Sequence, residues 1–171
     1  SVAEFSGVQG QDGWEYGQYF ADDTFGFSLD PIWTGARWED VQAGSTPYLD
    51  SNGGHPGADL LWSVRRWTSD YAGPVQITGT FFDRNPAGVD GVNVRIYLND
   101  TEIWQFFDIP DPSTPYLLAV PWIDVGDTLD FVIDPMFDPL NDETEFTAVI
   151  TTDGPAATCT GAPVRGLRPT R

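Results

Sequence analysis

Five oxygen-bearing side chains crowd a short stretch near the end of the chain, at Asp134, Asp138, Asn141, Asp142 and Glu143. Calcium takes about six to eight oxygen ligands, and carboxylates that lie close together repel each other unless a cation neutralises them. The spacing is not that of an EF-hand loop. We predict one structural calcium ion held by Asp134, Asp138, Asp142 and Glu143, and an ordinary solvated acidic turn is the alternative.

A second group of side chains suits sugar binding. Trp33, Trp38 and Tyr48 stand among proline and glycine turn signals in the long irregular stretch 21–57. An aromatic ring stacks on the apolar face of a pyranose while polar side chains bind its hydroxyls. Arg37 adds a bidentate donor for a sugar diol or a uronate. We predict that Trp33, Arg37, Trp38 and Tyr48 form a carbohydrate-binding platform, with packing of the loop itself as the alternative.

The residue types that most enzymes use for catalysis are scarce. The chain has one histidine, His55, one cysteine, Cys159, and no lysine. No Gly-x-Ser-x-Gly or His-Glu-x-x-His motif is present, and nothing marks a serine as the partner of His55 in a triad. Paired carboxylates of the glycosidase kind stay open, because 26 acidic residues offer many pairs whose separation a sequence does not give. We therefore predict a non-catalytic role.

Charge narrows the range of partners. The formal net charge is -18 over 171 residues, which is the length of one ordinary domain. Such an acidic surface repels phosphate backbones and anionic lipid, so we predict neither a nucleic-acid nor a membrane partner. Cys159 has no second cysteine for an internal disulfide, and the sequence leaves open whether it is free or paired between chains.

The elements that position these residues are strands. Alternating apolar and polar residues, with aromatic and β-branched side chains, predict strands over 61–68, 75–81, 92–98, 101–104, 116–122, 128–133 and 145–150. Asn99-Asp100 predicts a hairpin turn. Trp14, Trp62 and Trp67 fall in strand runs, which predicts that they pack in the core.

These strands predict an all-β fold, a jelly-roll-like β-sandwich of two antiparallel sheets. We expect each strand to have one buried and one wet face, with successive strands side by side. Beyond residue 152 the composition shifts to glycine, proline, alanine, threonine and arginine. This predicts a sandwich over 1–152 and a linker or tail over 153–171.

Several short motifs resemble one type of module. They are QGQDGWEYG at 9–17, HPG at 55–57, VRRWTS at 64–69, ITGT at 77–80 and VGDTLDFVIDP at 125–135. Together they resemble an extracellular bacterial module attached to large secreted carbohydrate-active enzymes and surface proteins. In outline it is similar to the β-sandwich carbohydrate-binding modules, whose jelly rolls often carry a structural calcium ion.

The resemblance covers most of residues 5–150 and implies a non-catalytic, polysaccharide-binding module of a secreted multidomain enzyme. A catalytic domain in the same parent chain and an extracellular location are then expected. The segments 21–54 and 106–116 depart from the pattern, and ligand specificity is expected there. A structural or adhesion β-sandwich that binds no sugar is the first alternative, and a polysaccharide-active enzyme domain is the second.

Overall fold

The structure, a computed structural model, describes residues 2–20, 23–40, 47–58, 61–85, 91–107, 113–136 and 139–152. These residues form fourteen strands and two short 3-10 turns, Val2–Glu4 and Gln11–Gly13. No helix in these ranges is long and apolar enough to cross a membrane. The predicted tail 153–171 lies outside the described residues.

The first sheet has six strands in the order β10-β9-β12-β7-β1-β2, and all neighbours are antiparallel. We call it the six-stranded sheet. Its strands are β1 Trp14–Phe20, β2 Asp23–Leu29, β7 Leu61–Thr68, β9 Asn93–Leu98, β10 Thr101–Phe106 and β12 Thr128–Asp134.

The second sheet has eight strands, and we call it the eight-stranded sheet. Its order is β11-β8-β13-β6-β5-β4-β3, and β14 also pairs with β8. Its strands are β3 Ile32–Trp33, β4 Trp38–Glu39, β5 Tyr48–Leu49, β6 Gly53–His55, β8 Gly73–Asp83, β11 Thr114–Ile123, β13 Thr144–Phe146 and β14 Val149–Thr151. Two antiparallel sheets confirm the predicted all-β sandwich.

The main core lies between the two sheets. Strand alternation places large apolar side chains there from both sides, such as Tyr16 and Phe131 from the six-stranded sheet and Ile77 and Phe81 from the eight-stranded sheet. Each such side chain is buried, and burial of one stabilises the fold by about 1.5–3 kcal/mol. One face of β8, which carries Ile77 and Phe81, is thus buried as the alternation predicts.

The outer face of the six-stranded sheet carries a smaller buried cluster, which differs from the expected wet face. It consists of Tyr19, Val64, Tyr97 and Val132, with Phe27 and Trp62 packed against them. Beside it, Arg66 donates two hydrogen bonds to the buried carboxylate of Asp130. Side chains of the sheet itself, Phe27 and Trp62 among them, therefore cover the centre of this outer face.

The predicted order of the strands was wrong in one respect. The strands β7, β8 and β9 follow each other in the chain but alternate between the sheets, so that among β7 to β10 only β9 and β10 are both successive and paired. The turn of that hairpin is as predicted: Asn99 and Asp100 have φ values of 46° and 63°. Left-handed backbone at both positions matches the twist of the flanking strands.

Candidate functional site

The sandwich is open between its sheets at one end, and a cavity of about 600 Å³ lies there. Trp14 and Trp67 of the six-stranded sheet line it, and Val149 and Ile150 of β14 line it from the eight-stranded sheet. Sites for small molecules commonly enclose about 300–1,000 Å³. The cavity therefore has the size of an ordinary small-molecule site.

The two indoles are placed by strand pairing and by one glycine. Trp14 and Trp67 are direct partners in the antiparallel pair of β1 and β7, so both side chains point to the same face. Trp14 is buried and Trp67 is half-buried. Gly13 has a φ of 79°, and a Cβ there would lie 2.7 Å from the carbonyl oxygen of Thr68 and 3.3 Å from Nε1 of Trp67. A glycine therefore lets the chain turn closely against Trp67.

Three carboxylates complete the cavity. Glu4, Asp12 and Asp70 line it and are exposed to solvent. Glu4 accepts a hydrogen bond of 3.1 Å from Nε1 of Trp14, which joins the carboxylate to the indole. Carboxylates accept hydrogen bonds from hydroxyl groups, and indole faces pack on C–H groups. No arginine is among the described residues that line the cavity, so its charge favours neutral or cationic ligands over anionic ones.

The predicted aromatic platform does not form an open surface. Trp38 is only 7% exposed, and its Nε1 donates a hydrogen bond of 2.8 Å to the carbonyl oxygen of Ser6. Its ring centroid lies 5.4 Å from that of Trp33 and 6.2 Å from that of Tyr16. Trp33 is half-buried and also packs on Phe5. The two indoles therefore lie between loop and core, and their role in sugar binding stays a prediction.

Arg37 and Tyr48 form a separate group. The Arg37 guanidinium lies 4.3 Å from the ring centroid of Tyr48 and forms an ion pair with Glu39. Tyr48 stacks on His55 at 5.9 Å and donates a hydrogen bond of 2.6 Å to Glu143. Burial and this carboxylate raise the pKa of the Tyr48 hydroxyl. Protein groups thus engage Arg37 and Tyr48, and their role in sugar binding stays a prediction.

Three of the four predicted metal ligands lie in the described part of the chain, and they form no metal-binding group there. Asp134 ends β12 and accepts hydrogen bonds of 2.9 and 2.7 Å from Arg95, while Glu143 accepts one from Tyr48 of the other sheet. Asp142 is buried, and Asp138 lies outside the described residues. No three histidine, cysteine or acidic residues in the described ranges form a group that could hold a metal ion.

Arg95 forms an ion pair with Asp134 at 2.7 Å, which offsets the charge of that carboxylate. Calcium in this loop stays a prediction that depends on Asp138.

His55 has local partners. Its Nδ1 donates a hydrogen bond of 2.5 Å to the carbonyl oxygen of Pro56, and its ring stacks on Tyr48. Ser63 donates to the backbone oxygen of His55, not to its ring. These contacts hold a turn in place, and they give His55 no described serine partner of the triad kind.

The fold and site define a β-sandwich with an aromatic, acidic cavity at one end. No protein-family model and no curated protein matches this chain. Among solved structures, a β-glucosidase from Kluyveromyces marxianus aligns with 87% of this chain at 8% identity, with a TM-score of 0.38. The aligned part is 17% of that enzyme's chain, so this chain spans only a fraction of its length. A likeness at this level carries no argument about function.

Sequence reasoning missed this cavity, because both of its indoles, Trp14 and Trp67, fall in strand runs that predict core packing. It also missed Asp12 and Asp70. A signal was present in their positions. Trp14 is the first residue of its strand and directly follows the turn that holds Asp12. Trp67 is the second-last residue of its strand and lies three residues before Asp70. Large aromatics at strand ends next to acidic turns lie at an end of a sandwich, where a ligand can reach them.

Proposed function

We propose that this chain is a non-catalytic carbohydrate-binding module and that the end cavity receives the sugar. The observation that carries the proposal is the combination of two indoles and three carboxylates around a space of about 600 Å³. Trp67 supplies a partly open ring for stacking. Asp12, Asp70 and Glu4 supply acceptors for the hydroxyls at the rim of a pyranose.

The charge of the cavity specifies the ligand further. Carboxylates repel uronic acids and sulfated sugars, and the net charge of the whole chain, -18, acts in the same direction. We expect neutral polysaccharides to bind better than pectin or alginate of similar length. This also argues against nucleic acid and anionic lipid as partners.

The biological setting of the proposal rests on the motif resemblance alone. It makes the chain an accessory module of a secreted, extracellular enzyme, with a catalytic domain in the same parent chain. The module would hold that domain close to its polysaccharide. A structural or adhesion sandwich without sugar binding is the competing function, and the acidic surface suits it as well.

A glycosidase function is the third candidate, since the cavity holds carboxylates. A retaining or inverting enzyme needs one acid and one nucleophile or base on either side of the scissile bond. Glu4 is hydrogen-bonded to Trp14 and all three carboxylates are solvent-exposed, so none of them has the apolar surroundings in which a catalytic acid commonly lies. We therefore favour binding without hydrolysis.

The test is affinity electrophoresis of the purified chain in gels with intact neutral glucans, xylans and mannans, with pectin and alginate as anionic controls. We expect retardation by at least one neutral polysaccharide and release of no reducing ends from it. Migration unchanged in every gel would favour the structural module, and release of reducing ends would favour the enzyme.

A further inference from the structure

The end cavity combines aromatic walls with an excess of negative charge. Glu4, Asp12 and Asp70 line it, and no arginine of the described residues does. The chain has no lysine, and the five arginines in the described ranges contact groups elsewhere: Arg37 contacts Glu39, Arg65 and Arg84 contact Asp50, Arg66 contacts Asp130 and Arg95 contacts Asp134. A ligand in the cavity therefore meets acidic side chains that no lining cation offsets.

The acidic groups lie beside the two indoles. Oε2 of Glu4 accepts a hydrogen bond of 3.1 Å from Nε1 of Trp14, which fixes one carboxylate against the aromatic wall. Trp67 pairs with Trp14 across β1 and β7, so its ring lies on the same face of the sheet. The face of an aromatic ring is the negative side of its quadrupole. Ring and carboxylates therefore attract the same kind of group, a positively charged one.

An ammonium group uses both features and a hydroxyl group uses neither fully. An ammonium has three donors and no acceptor, and a carboxylate only accepts, so the two form charge-assisted hydrogen bonds. Such bonds are about twice as strong as those of a neutral hydroxyl. A cation within about 6 Å of an indole centroid is also attracted by the ring. An indole next to carboxylates thus discriminates between an amine and a hydroxyl on otherwise equal sugar rings.

We propose that the preferred ligand of the end cavity is a polysaccharide of amino sugars with free, protonated amines, such as glucosamine. This rests on the proposed function, because it names the kind of sugar that the cavity receives. The C–H face of the ring packs on Trp67, and its ammonium group donates to Asp70 and Asp12 at the rim. An N-acetylated sugar lacks the charge, and a uronic acid carries the opposite one.

Adsorption to the whole acidic surface is the competing explanation, since a chain with a net charge of -18 attracts any polycation. It depends on the number of charges removed and not on their position. Asp70→Asn and Asp83→Asn each remove one negative charge and so form a matched pair. Asp83 ends β8, whereas the cavity adjoins β14, whose Thr151 pairs with Gln76 near the start of β8. An asparagine at 83 can still accept the 2.7 Å bond from the backbone N–H of Asn85.

Calorimetric titration of the whole chain compares oligomers of glucosamine, N-acetylglucosamine and glucose that share linkage and length. A buffer of about pH 6 lies above the ordinary pKa of carboxyl groups and below that of amines. We expect the glucosamine oligomer to bind about tenfold more tightly than the glucose oligomer, a difference of about 1.4 kcal/mol. The N-acetylglucosamine oligomer should lack this advantage.

The variants place the preference in the cavity. Asp70→Asn should reduce the ratio of the two affinities several-fold, while Asp83→Asn keeps the ratio of the wild type. Asp12→Asn is a second variant in case Asp70→Asn does not fold, and the φ of 53° at this position is one that asparagine tolerates. Circular dichroism checks the fold of each variant.

Three results would overturn the proposal, and they differ in what they leave standing. Equal affinity for the glucosamine and glucose oligomers removes the preference and leaves sugar binding intact. Binding of no oligomer removes both the preference and the proposed function. A preference that persists in folded Asp70→Asn and Asp12→Asn, or that falls equally in Asp83→Asn, assigns the binding to the acidic surface as a whole.

Discussion

Trp14 of β1 and Trp67 of β7 lie directly opposite each other in the six-stranded sheet, and both line the cavity at the open end of the sandwich. Their burial differs: Trp14 packs on Phe131 with ring centroids 5.9 Å apart, while Trp67 is half-buried. Trp14 thus closes the core, while part of the Trp67 ring remains open to the cavity. One cross-strand pair serves both the stability of the fold and the proposed binding.

Replacing Trp38 is expected to lower stability and not to act on sugar binding directly. Trp38→Ala removes a buried ring and its hydrogen bond to Ser6, a loss of about 3–5 kcal/mol in the free energy of unfolding. Urea titration measures this change in the free energy of unfolding. Trp122→Ala is the control, because Trp122 is 58% exposed and bonds only to nearby Asp124. A stable Trp38→Ala variant that has lost sugar affinity would restore the predicted platform.

Arg66 is expected to matter more to stability than a surface arginine. It donates hydrogen bonds of 2.7 and 2.8 Å to Asp130, whose exposed fraction is 0%. Arg66→Met leaves that buried carboxylate without its cation, at a cost of about 3–5 kcal/mol. Arg37→Met, at an arginine whose side chain is 42% exposed, costs about 1 kcal/mol or less.

Urea titration of both variants, and of Arg66→Met combined with Asp130→Leu, checks this. The double variant is expected to be more stable than Arg66→Met alone, because an apolar pair leaves no buried charge. Equal losses for Arg66→Met and Arg37→Met would show that burial of Asp130 is unimportant here.

Asp50 is expected to make the fold sensitive to acid. Burial alone would raise its pKa, but hydrogen bonds from Arg84 and from the backbone N–H groups of Asn52 and Gly53 outweigh burial and lower it. Because the pKa is lower in the folded chain, the carboxylate stabilises the fold above its unfolded pKa of 3.8. That contribution is lost as the pH falls through the lower, folded pKa.

Asp50→Asn removes this linkage. Besides Arg84, the charged or titratable groups that face Asp50 are Arg65 and Tyr48, and the variant keeps both of them. Between about pH 6 and pH 3, the free energy of unfolding should fall less in the variant than in the wild type. Parallel curves from urea titrations across this range would mean that Asp50 contributes nothing to acid unfolding.

The longer strands could be predicted because alternation over six or more residues is a clear signal. The run 61–68 matches β7, and the Asn99-Asp100 turn joins β9 to β10 as expected. Periodicity shows which face of a strand is buried and does not show which strand lies beside it. For this reason the alternation of β7, β8 and β9 between the sheets was not predictable.

The short strands could not be predicted, because two or three residues show no period. In β6, Gly53 lies so close to β13 that a Cβ would be 2.0 Å from the carbonyl oxygen of Thr144. The sequence showed only turn material there. The predicted strand 145–150 is instead β13 and β14, since at Thr147 the chain bonds to Thr80 through both backbone and side chain.

The candidate site was less predictable than the fold, since a site depends on residues that the fold brings together. Asp134 was predicted as a calcium ligand from its neighbours in sequence, but its partner is Arg95 on an adjacent strand. Asp70 is far in sequence from Glu4 and Asp12, and it meets them only at the cavity. Clusters in sequence were therefore a poor guide to clusters in space.

The central claim is that the end cavity binds sugar, and calorimetric titration of cavity variants with a neutral polysaccharide that retards the wild type tests it most directly. We expect Trp67→Ala to weaken affinity by about 1–3 kcal/mol, the effect of losing a central aromatic contact, with Asp70→Asn weakening it less. Trp122→Ala, which changes an exposed tryptophan outside the cavity, should bind as the wild type does. Circular dichroism confirms that each variant is folded. Unchanged affinity in folded Trp67→Ala and Asp70→Asn would contradict the claim.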